Sequence, residues 1–583
     1  MTDYYIDANR GSDGNNGTSK NTAWASLEAI RTKSLAGTIA AGDNFLFESS
    51  CQFTPTRYLR FGATAEAATY INGTVGSLIT FDKYDYTSGY SGNPEFTQIY
   101  TPTNSDWVWD ATNSLWYYVH PTEYGNALLN FGGWPYVTIN GTIAKITRQA
   151  TPTFKRGAWP FAYGEVATWY ESNPGRLYVW TPSATSNPLT NPYNVYGPNA
   201  VKIATYAFAM FQFNRCGSYI SVNNLTVRNG IQLAGLYNDA SGFGEITNFL
   251  ADSNKAINSA GLFTVSILDN TNSANTITVS NNYAEGMPGG AIQGGAKSFL
   301  ISGNTFAGAN YSRNDGGAIY TQSTRTGMSL IVQDNVFTDC RFETSLSSGP
   351  LDGASSMASD GCAVYIEKGS FGVTVRRNKV SDCPLAFQDN SGQTTNIWHS
   401  NWVNNCDKGI VITDQGNLAT VSSLTKVYNN TFSNMRMNSN YPSMVSTKFA
   451  AIVCRKGTPA AANYTYDFKN NIITGTGTAT TSGYGFLVES GTNQTYSNNS
   501  VYGFNTVKAD EYTYANATTP ATTITSDPLV RTDGAVSLGS PCIKAGTATG
   551  LTLTDYENNL FGITPTVGAF EFNAFRDIEG IFE

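Results

Sequence analysis

Short apolar strands alternate with polar turns along most of the chain, and nine of them end in one recurring motif. The motif reads apolar, any residue, apolar, two or three polar residues, then Asn, any residue and an apolar residue. Its asparagines are Asn224, Asn282, Asn304, Asn335, Asn378, Asn401, Asn430, Asn471 and Asn499. The gaps between them are 58, 22, 31, 43, 23, 29, 41 and 28 residues. The shortest gaps set the repeating unit, and the longer ones indicate loop insertions.

A second short strand lies between successive Asn motifs. It begins at a glycine or another small residue and recurs at 289–295, 316–322, 361–367, 384–390, 408–414, 450–456 and 484–490. Two or three strands in so short a unit leave no room for a crossover helix. They can stack only by coiling about a common axis, each pairing with the equivalent strand one unit away. The pattern therefore predicts an all-β solenoid, a single-stranded parallel β-helix.

The asparagines and three of the cysteines fit this coil. Asn tolerates left-handed backbone, and stacked asparagines about 4.8 Å apart can join their side-chain amides in a ladder. Cys340, Cys383 and Cys406 each follow a motif Asn by five residues, and the same offset holds small or apolar residues elsewhere. We therefore predict a buried stack of free thiols rather than disulfides or a metal site.

The repeat divides the chain into three parts. Residues 1–205 are predicted to hold an N-terminal cap, the first coils and an aromatic excursion, which is antiparallel or loop-rich over 100–200. The cap is a short amphipathic helix at 26–30. Residues 206–505 are the central β-helix, and 506–583, which lack the Asn repeat, should form a C-terminal coil and cap over the last turn. Both ends need covers because an open coil is an unpaired sheet edge.

Composition and charge exclude several classes of protein. Charged residues make up 13% of the chain and the formal net charge is −8, so nucleic acid is not an expected partner. Two histidines nearly exclude poly-His metal sites and Ser-His triads. No apolar run is long enough to span a membrane. The first residues show no signal-peptide pattern, so we expect either action outside the cell by another route, as on a virus particle, or a signal that has been removed.

Both ends of the chain resemble a known superfamily. YYIDANRGSDGNNGTSKNTAWASLEAI and DNFLFESSCQF are similar to the opening of right-handed parallel β-helix proteins of the pectate-lyase-like superfamily, and SDPLV, SPCIKAGT and VGAFEF are similar to their closing segment. The resemblance implies an extended carbohydrate as substrate or ligand. It also implies a tailspike-like depolymerase, a homotrimer on a virion tail that contacts other tail proteins, or alternatively a secreted enzyme.

The second strand predicts where chemistry would occur. If Ile292, Ile319, Val364, Phe387, Val411 and Ile452 point inward, alternation sends the following residues outward onto an exposed face. Aromatic rings there can stack on sugars and amides can bind hydroxyl groups. The predicted substrate-binding residues are Tyr320, Gln322, Tyr365, Gln388, Asn390, Arg455 and Lys456.

Three carboxylates lie close together in this alignment. Glu367 and Asp414 are two coils apart, or roughly 9.6 Å, close to the ~6.5–9.5 Å that separates the carboxyls of inverting glycosidases. Asp389 lies one coil from each, at a strand end where it can turn outward. We predict Glu367 as general acid and Asp414 or Asp389 as the base that activates water. The alternative for each is a structural carboxylate in a turn or an ion pair.

The predicted function is binding and hydrolysis of an extracellular bacterial polysaccharide, either capsule or O-antigen. The first alternative is a polysaccharide lyase that acts by β-elimination on a uronic-acid polymer, for which Arg455 and Lys456 lie on the correct face. The second is a non-catalytic carbohydrate-binding spike. No cofactor is expected, although DANRGSDGNNG at 7–17 spaces oxygens as calcium loops do, and Asx turns explain that spacing equally well.

Overall fold

The computed structural model describes most of the coil and leaves out several of the long loops. The described residues are 1–55, 59–62, 70–86, 92–97, 99–111, 115–119, 136–140, 142–143, 145–148, 167–171, 176–179, 191–204, 209–214, 216, 218–229, 232–238, 246, 248–259, 261–267, 276–287, 290–296, 298–309, 317–321, 329–340, 362–367, 372–391, 395–413, 423–436, 450–455, 464–477, 479, 483–488, 493–509 and 517–572.

Three long parallel sheets run side by side, and each turn of the coil adds one strand to each of them. Sheet 1 has 13 strands: Asp3–Ile6, Asn44–Glu48, Ile79–Tyr84, Ile220–Asn223, Phe249–Asp252, Thr276–Ser280, Ser298–Ser302, Ser329–Gln333, Val373–Arg376, Thr395–His399, Ser423–Tyr428, Tyr464–Lys469 and Asn493–Ser497.

Sheets 2 and 3 follow sheet 1 within each turn and have 12 strands each. Sheet 2 holds Gln52–Phe53, Glu95–Thr97, Thr226–Arg228, Lys255–Ile257, Tyr283–Met287, Thr305–Ala309, Val336–Thr338, Lys379–Ser381, Trp402–Asn404, Thr431–Met435, Ile472–Gly475 and Ser500–Tyr502. Sheet 3 holds Leu59–Phe61, Ala209–Asn214, Gln232–Asn238, Gly261–Ile267, Ile292–Gly295, Gly317–Thr321, Cys362–Ile366, Leu385–Asp389, Lys408–Thr413, Ala450–Arg455, Tyr484–Val488 and Thr506–Ala509.

This arrangement is a right-handed parallel β-helix, which confirms the predicted fold. Inward residues of all three sheets join one apolar core that extends from Ile6 to Val501. Its N-terminal end is aromatic: Phe81 stacks on Phe45 at a centroid distance of 5.2 Å and meets Phe211 at 4.8 Å with the rings tilted by 47°. Alternation of apolar and polar residues is what turns one side of every strand toward this core.

A helix and a side excursion complete the N-terminal part. The helix spans Leu27–Leu35, begins at the N-cap Ser26 and buries Leu27 and Ile30, as expected for a cap over the first coil. The excursion forms two small, mainly antiparallel sheets. One holds Ile99–Tyr100, Tyr136–Ile139, Thr142–Ile143 and Val201–Ala204; the other holds Trp107–Asp110, Leu115–Val119, Lys145–Arg148, Ala167–Glu171 and Arg176–Val179. Short helices lie at Lys20–Thr22, Asn104–Asp106 and Pro192–Tyr196. Among the described residues, no helix is both long and apolar enough to cross a membrane.

An asparagine ladder connects sheet 1 to sheet 2 in nine successive turns. In each rung, one side-chain amide donates to the Oδ1 of the next Asn at 2.9–3.0 Å, and the backbone N–H of the same residue donates to that oxygen at 2.9–3.1 Å. The other amide hydrogen donates to a carbonyl of sheet 1 one turn back, such as that of Val332 for Asn378. The side chains are buried, so these bonds satisfy polar groups that water does not reach.

The ladder corrects one member of the predicted motif. It begins at Asn254, whereas Asn224 has φ 54° and donates to the Asp82 carboxylate. Leu225 occupies the ladder position of that turn, and its N–H donates to Asn254 Oδ1. The left-handed residue is thus the one before the ladder Asn. The long 58-residue gap contains a complete coil whose motif, around Asn254, sequence comparison did not recognise.

The cysteines are all buried free thiols in the structure. The backbone N–H of Cys340 points at the Sγ of Cys383 one turn away, at 3.3 Å. Burial raises the pKa of the Cys383 thiol, and the neighbouring Cys340 and Cys406 raise it further. The predicted stack of inward thiols is therefore confirmed.

The C-terminal segment runs back along the coil instead of only closing its end. Ile524 bridges to Ser500 on the last turns, but later residues reach much earlier ones. Thr554 accepts a hydrogen bond from Arg377, and Phe570 packs edge-on against Trp402 with ring centroids 6.0 Å apart. The predicted cover is therefore a strap along the side of several turns.

Replacing a ladder residue should destabilise the whole coil. Asn378→Ala removes the acceptor of both the backbone N–H and the side-chain amide of Asn335. Each buried polar group left unpaired costs about 1–3 kcal/mol, so the urea midpoint should fall. Asn493→Ala, at an exposed strand start, is the control and should match the wild type. Equal midpoints for both variants would show that the ladder contributes nothing measurable.

Two glycines with the same backbone angle test the strap. Gly534 and Gly539 both have φ +89°, but a Cβ at 534 would lie 2.6 Å from the Trp402 ring, while one at 539 meets nothing within 4 Å. Both alanine variants pay the left-handed penalty of about 1–2 kcal/mol. Only Gly534→Ala should also release the strap, seen as faster protease cleavage within 528–572. Identical cleavage rates would contradict this packing.

Candidate functional site

The aromatic residues predicted on sheet 3 do lie together on its outer side. Tyr320 pairs in register with Tyr365, and Tyr365 with Gln388, so the three stand on successive turns. The two tyrosine rings have centroids 5.2 Å apart and an interplanar angle of 49°. Tyr320 is partly exposed, whereas Tyr365 is buried against Cys362 and Leu385. Tyr320 is therefore the ring of this pair that a ligand can reach.

Glu367 lies beside this pair, directly after the strand Cys362–Ile366. Its backbone N–H donates to the carbonyl of Thr321 at 2.8 Å, which continues the parallel pairing by one residue. Its Oε2 lies 3.5 Å from the hydroxyl of Tyr320. The carboxylate is partly exposed. Glu367 and Tyr320 thus present an acid and an aromatic hydroxyl to the same small area of surface.

The amides on the next turn are buried, which differs from the predicted exposed face. Gln388 donates to the Oδ1 of Asn390 at 3.1 Å, and Asn390 donates to the hydroxyl of Tyr365 at 2.7 Å. Gln388 is 6% exposed, Asn390 1% and Tyr365 4%. A polar group that is buried must be hydrogen-bonded, and these three satisfy one another. They form a hydrogen-bonded layer beneath the surface. This layer fixes the ring of Tyr365, against which the ring of Tyr320 packs.

Asp389 points into the coil and does not turn outward as expected. It is 2% exposed. Its carboxylate accepts hydrogen bonds from the backbone N–H and hydroxyl of Ser391, from the Asn396 amide and from the Trp398 indole N–H, at 2.6–3.1 Å. Alternation explains the direction, because Phe387 also points inward two residues earlier. Asp389 therefore joins sheet 3 to sheet 1 inside the coil, and its oxygens do not face a surface ligand.

The strand Lys408–Thr413 is shifted by one residue from the predicted alignment. Phe387 pairs with Ile410, and Gln388 with Val411, so Ile410 is the inward residue that the sequence assigned to Val411. Thr413 pairs with Arg455 and takes the place in the column that was expected for Asp414. The pairing runs without a break from Leu385 with Lys408 to Asp389 with Ile412, so the strand is regular and the predicted alignment placed each position one residue too late.

Several predicted residues lie outside the described part of the chain. They are Gln322, Asp414 and Lys456. Arg455 ends its strand, and its backbone pairs as stated, but its side chain is likewise outside. The structure therefore brings together Tyr320, Tyr365, Glu367, Gln388 and Asn390, and it separates Asp389 from them. The roles of Asp414, Gln322, Arg455 and Lys456 stay predictions.

The outer side of sheet 3 changes from polar to apolar on the turns after Gln388. The same column continues with Val411, Val453 and Leu487, and these form an apolar cluster with Ala450 and Ala509. On the other side of the tyrosine pair it continues with Gln293 and Thr264, which are partly exposed. A polar ligand is therefore favoured on the turns that precede Tyr320.

The oxygens of the N-terminal loop cap backbone groups. Asp7 accepts from the N–H groups of Asn9 and Arg10 at 3.0 Å and from the Arg10 side chain at 2.7 Å. Burial raises its pKa, but these hydrogen bonds outweigh burial and leave the pKa lowered. Asp13 likewise accepts from the N–H groups of Ala25 and Ser26 at 2.9 Å. The Asp7 bonds form a local Asx turn, whereas the Asp13 bonds tie the loop to the start of the N-terminal helix.

Comparison with known proteins supports the fold. No protein-family model and no curated protein matches the chain. A solved complex of XylC with xylose is similar, with TM-score 0.58 and 11% identity over 98% of each chain. A lacto-N-biosidase of glycoside hydrolase family 136 from Eubacterium ramulus gives TM-score 0.38 and 12% identity over 90% of this chain and 67% of that one. The pectate lyase Pel9A gives 0.34 and 13% over 98% and 97%.

The sheet topology and the first of these similarities define the class of protein. The chain is a right-handed parallel β-helix protein of a single continuous coil, with an N-terminal helix and a C-terminal strap. At so low an identity the similarity concerns the fold, and function has to be argued from the site.

Asp389 is buried and Glu367 is partly exposed, so neutralising each carboxylate should affect stability differently. Asp389→Asn would turn an amide toward the donors of Asn396 and Trp398, so the thermal midpoint should fall. Glu367→Gln changes a partly exposed group and should leave the midpoint unchanged. A stable Asp389→Asn protein that had lost activity would return Asp389 to the catalytic candidates.

Proposed function

We propose that this protein binds and hydrolyses an extracellular bacterial polysaccharide, capsule or O-antigen, on the outer side of sheet 3. The observation that carries the proposal is the placement of Tyr320 and Glu367 on neighbouring turns, with the carboxylate 3.5 Å from the tyrosine hydroxyl. An apolar ring face beside a carboxylic acid suits a sugar ring and its glycosidic oxygen.

Glu367 is the proposed general acid. In hydrolysis it would protonate the glycosidic oxygen as the bond to the anomeric carbon breaks, while a second carboxylate activates water. Asp414 remains the proposed second carboxylate; in the sequence it directly follows Thr413, the last residue of the strand Lys408–Thr413. The buried layer of Gln388, Asn390 and Tyr365 would keep the sugar-binding surface around Tyr320 rigid.

The site also supports a choice among substrates. In the described part of this outer face, the residue beside Tyr320 is the acidic Glu367. The chain as a whole also carries a net charge of −8. A strongly anionic polymer would be repelled by such a surface, so hydrolysis of a neutral or weakly charged polymer is favoured over elimination from a polyuronate. Action outside the cell, a trimeric state and attachment to a virion tail belong to the same proposal.

The proposal is tested with a panel of purified capsular polysaccharides and O-antigens. Xylan is added because a protein of similar fold was solved with xylose. A product mass that gains one water per cut identifies hydrolysis, and ultraviolet absorbance from an unsaturated uronide identifies a lyase. Binding without cleavage would support the alternative of a non-catalytic carbohydrate-binding spike.

The acid is tested on the polymer that the wild type cleaves. Glu367→Gln should lower kcat by about 10²–10⁴-fold, and Asp414→Asn should do so if it activates water. Glu285→Gln, an exposed carboxylate on sheet 2, is the matched control and should keep full activity. Full activity of the Glu367→Gln variant would show that Glu367 is not the general acid, and the conclusion about the fold would stand.

A further inference from the structure

One tyrosine on the outer side of sheet 3 lies well away from the cluster around Glu367. Tyr237 stands on the strand Gln232–Asn238, three turns before Tyr320. Its ring does not point away from the sheet. A Cβ built on Gly235 would lie 2.4 Å from Tyr237 Cε2 and 2.6 Å from its hydroxyl oxygen. The ring therefore lies back along its own strand and covers the position of the missing side chain at 235.

That position belongs to the same column as the tyrosine pair. Gly235 pairs with Thr264, Thr264 with Gln293, and Gln293 with Tyr320. Because neighbouring strands are about 4.8 Å apart, the Tyr237 ring lies roughly 14 Å from Tyr320 along the coil axis. The ring is partly exposed, and burial of its remainder raises the pKa of its hydroxyl to about 12. The hydroxyl is therefore protonated at neutral pH.

The surface between the two aromatic positions is low and polar. Gln232 donates to the hydroxyl of Thr264 at 2.6 Å, and Gln293 donates to the carbonyl of Gly290 at 3.2 Å, so both glutamine side chains are held by neighbours. Gly295, which pairs with Ser266 in the column of Tyr237, adds no side chain there. A flat strip with an aromatic ring at each end and hydroxyl and amide groups between them can accept an extended chain of sugar rings.

We infer that Tyr237 is a distal sugar-binding subsite, and that the polysaccharide lies along the coil axis from Tyr237 to Tyr320. The inference rests on the proposed function and adds the direction and length of the bound segment. The rise per turn is close to the length of one pyranose unit, so the two rings are about three units apart. A fragment must therefore contain at least four units to contact both of them.

The experiment measures affinity by gel electrophoresis in the presence of each polymer of the same panel, using proteins that carry Glu367→Gln to prevent cleavage. For a retained polymer, fragments of two and of six units are then compared. Tyr237→Ala should bind the six-unit fragment about tenfold more weakly and the two-unit fragment as well as the parent does. Tyr237→Phe, which keeps the ring, should bind like the parent.

Two further variants separate a subsite from a structural role. Gly235→Ala keeps the tyrosine but places a Cβ against it, so it should displace the ring and weaken the six-unit fragment as well. Tyr502→Ala removes an exposed tyrosine on sheet 2 and should have no effect. Thermal midpoints equal to that of the parent exclude unfolding as the cause.

The outcomes distinguish the two proposals. If no polymer of the panel is retained by the parent, the proposed function fails and this inference fails with it. If a polymer is retained and Tyr237→Ala binds the six-unit fragment as tightly as the parent, the distal subsite is wrong while the proposed function stands. Equal weakening for both fragment lengths would also overturn it, because a short fragment does not reach from Tyr320 to Tyr237.

Discussion

The hydrogen bond between one turn and the next is the constraint on which the rest of this molecule depends. The strands of the three sheets pair with their equivalents in the neighbouring turns, and the asparagine ladder repeats the same spacing at the corner between sheets 1 and 2. Since the spacing is fixed, residues separated by tens of positions in sequence become neighbours. The thiol stack and the tyrosine pair both arise in this way.

This constraint also explains why the interior and the outer side of sheet 3 can be built almost independently. Alternation sends Phe387 and Asp389 inward and Gln388 and Asn390 outward from one short segment. Inside, Asp389 joins Trp398 and Asn396 into a satisfied network. Outside, the two amides support Tyr365. A single strand therefore stabilises the coil on one side and shapes the candidate site on the other.

The sequence was sufficient for the fold because periodicity, turn residues and capping all indicated the same coil. It was less sufficient for the site, and the reasons are local. Aligning 408–414 with 384–390 put Asp414 in the column, but the strands pair Leu385 with Lys408, which brings Thr413 there. Burial of Tyr365 and Asn390 was equally invisible, because an outward residue is exposed only if nothing packs over it. Tyr237 lay in the coil of the recognised motif at Asn224, but its strand Gln232–Asn238 was not among the aligned segments, although its alternation with Gly235 was a usable signal.

The strap has a consequence for biogenesis. A chain that leaves the ribosome can wind its turns in order, since each strand needs only the one made before it. The side of the coil around Arg377 and Trp402 is different, because Thr554, which covers it, is synthesised 177 residues after Arg377. Until then an aromatic ring and a guanidinium group lie open to the surroundings. The interval between translation of these two segments is therefore when a chaperone or a second nascent chain has access to that surface.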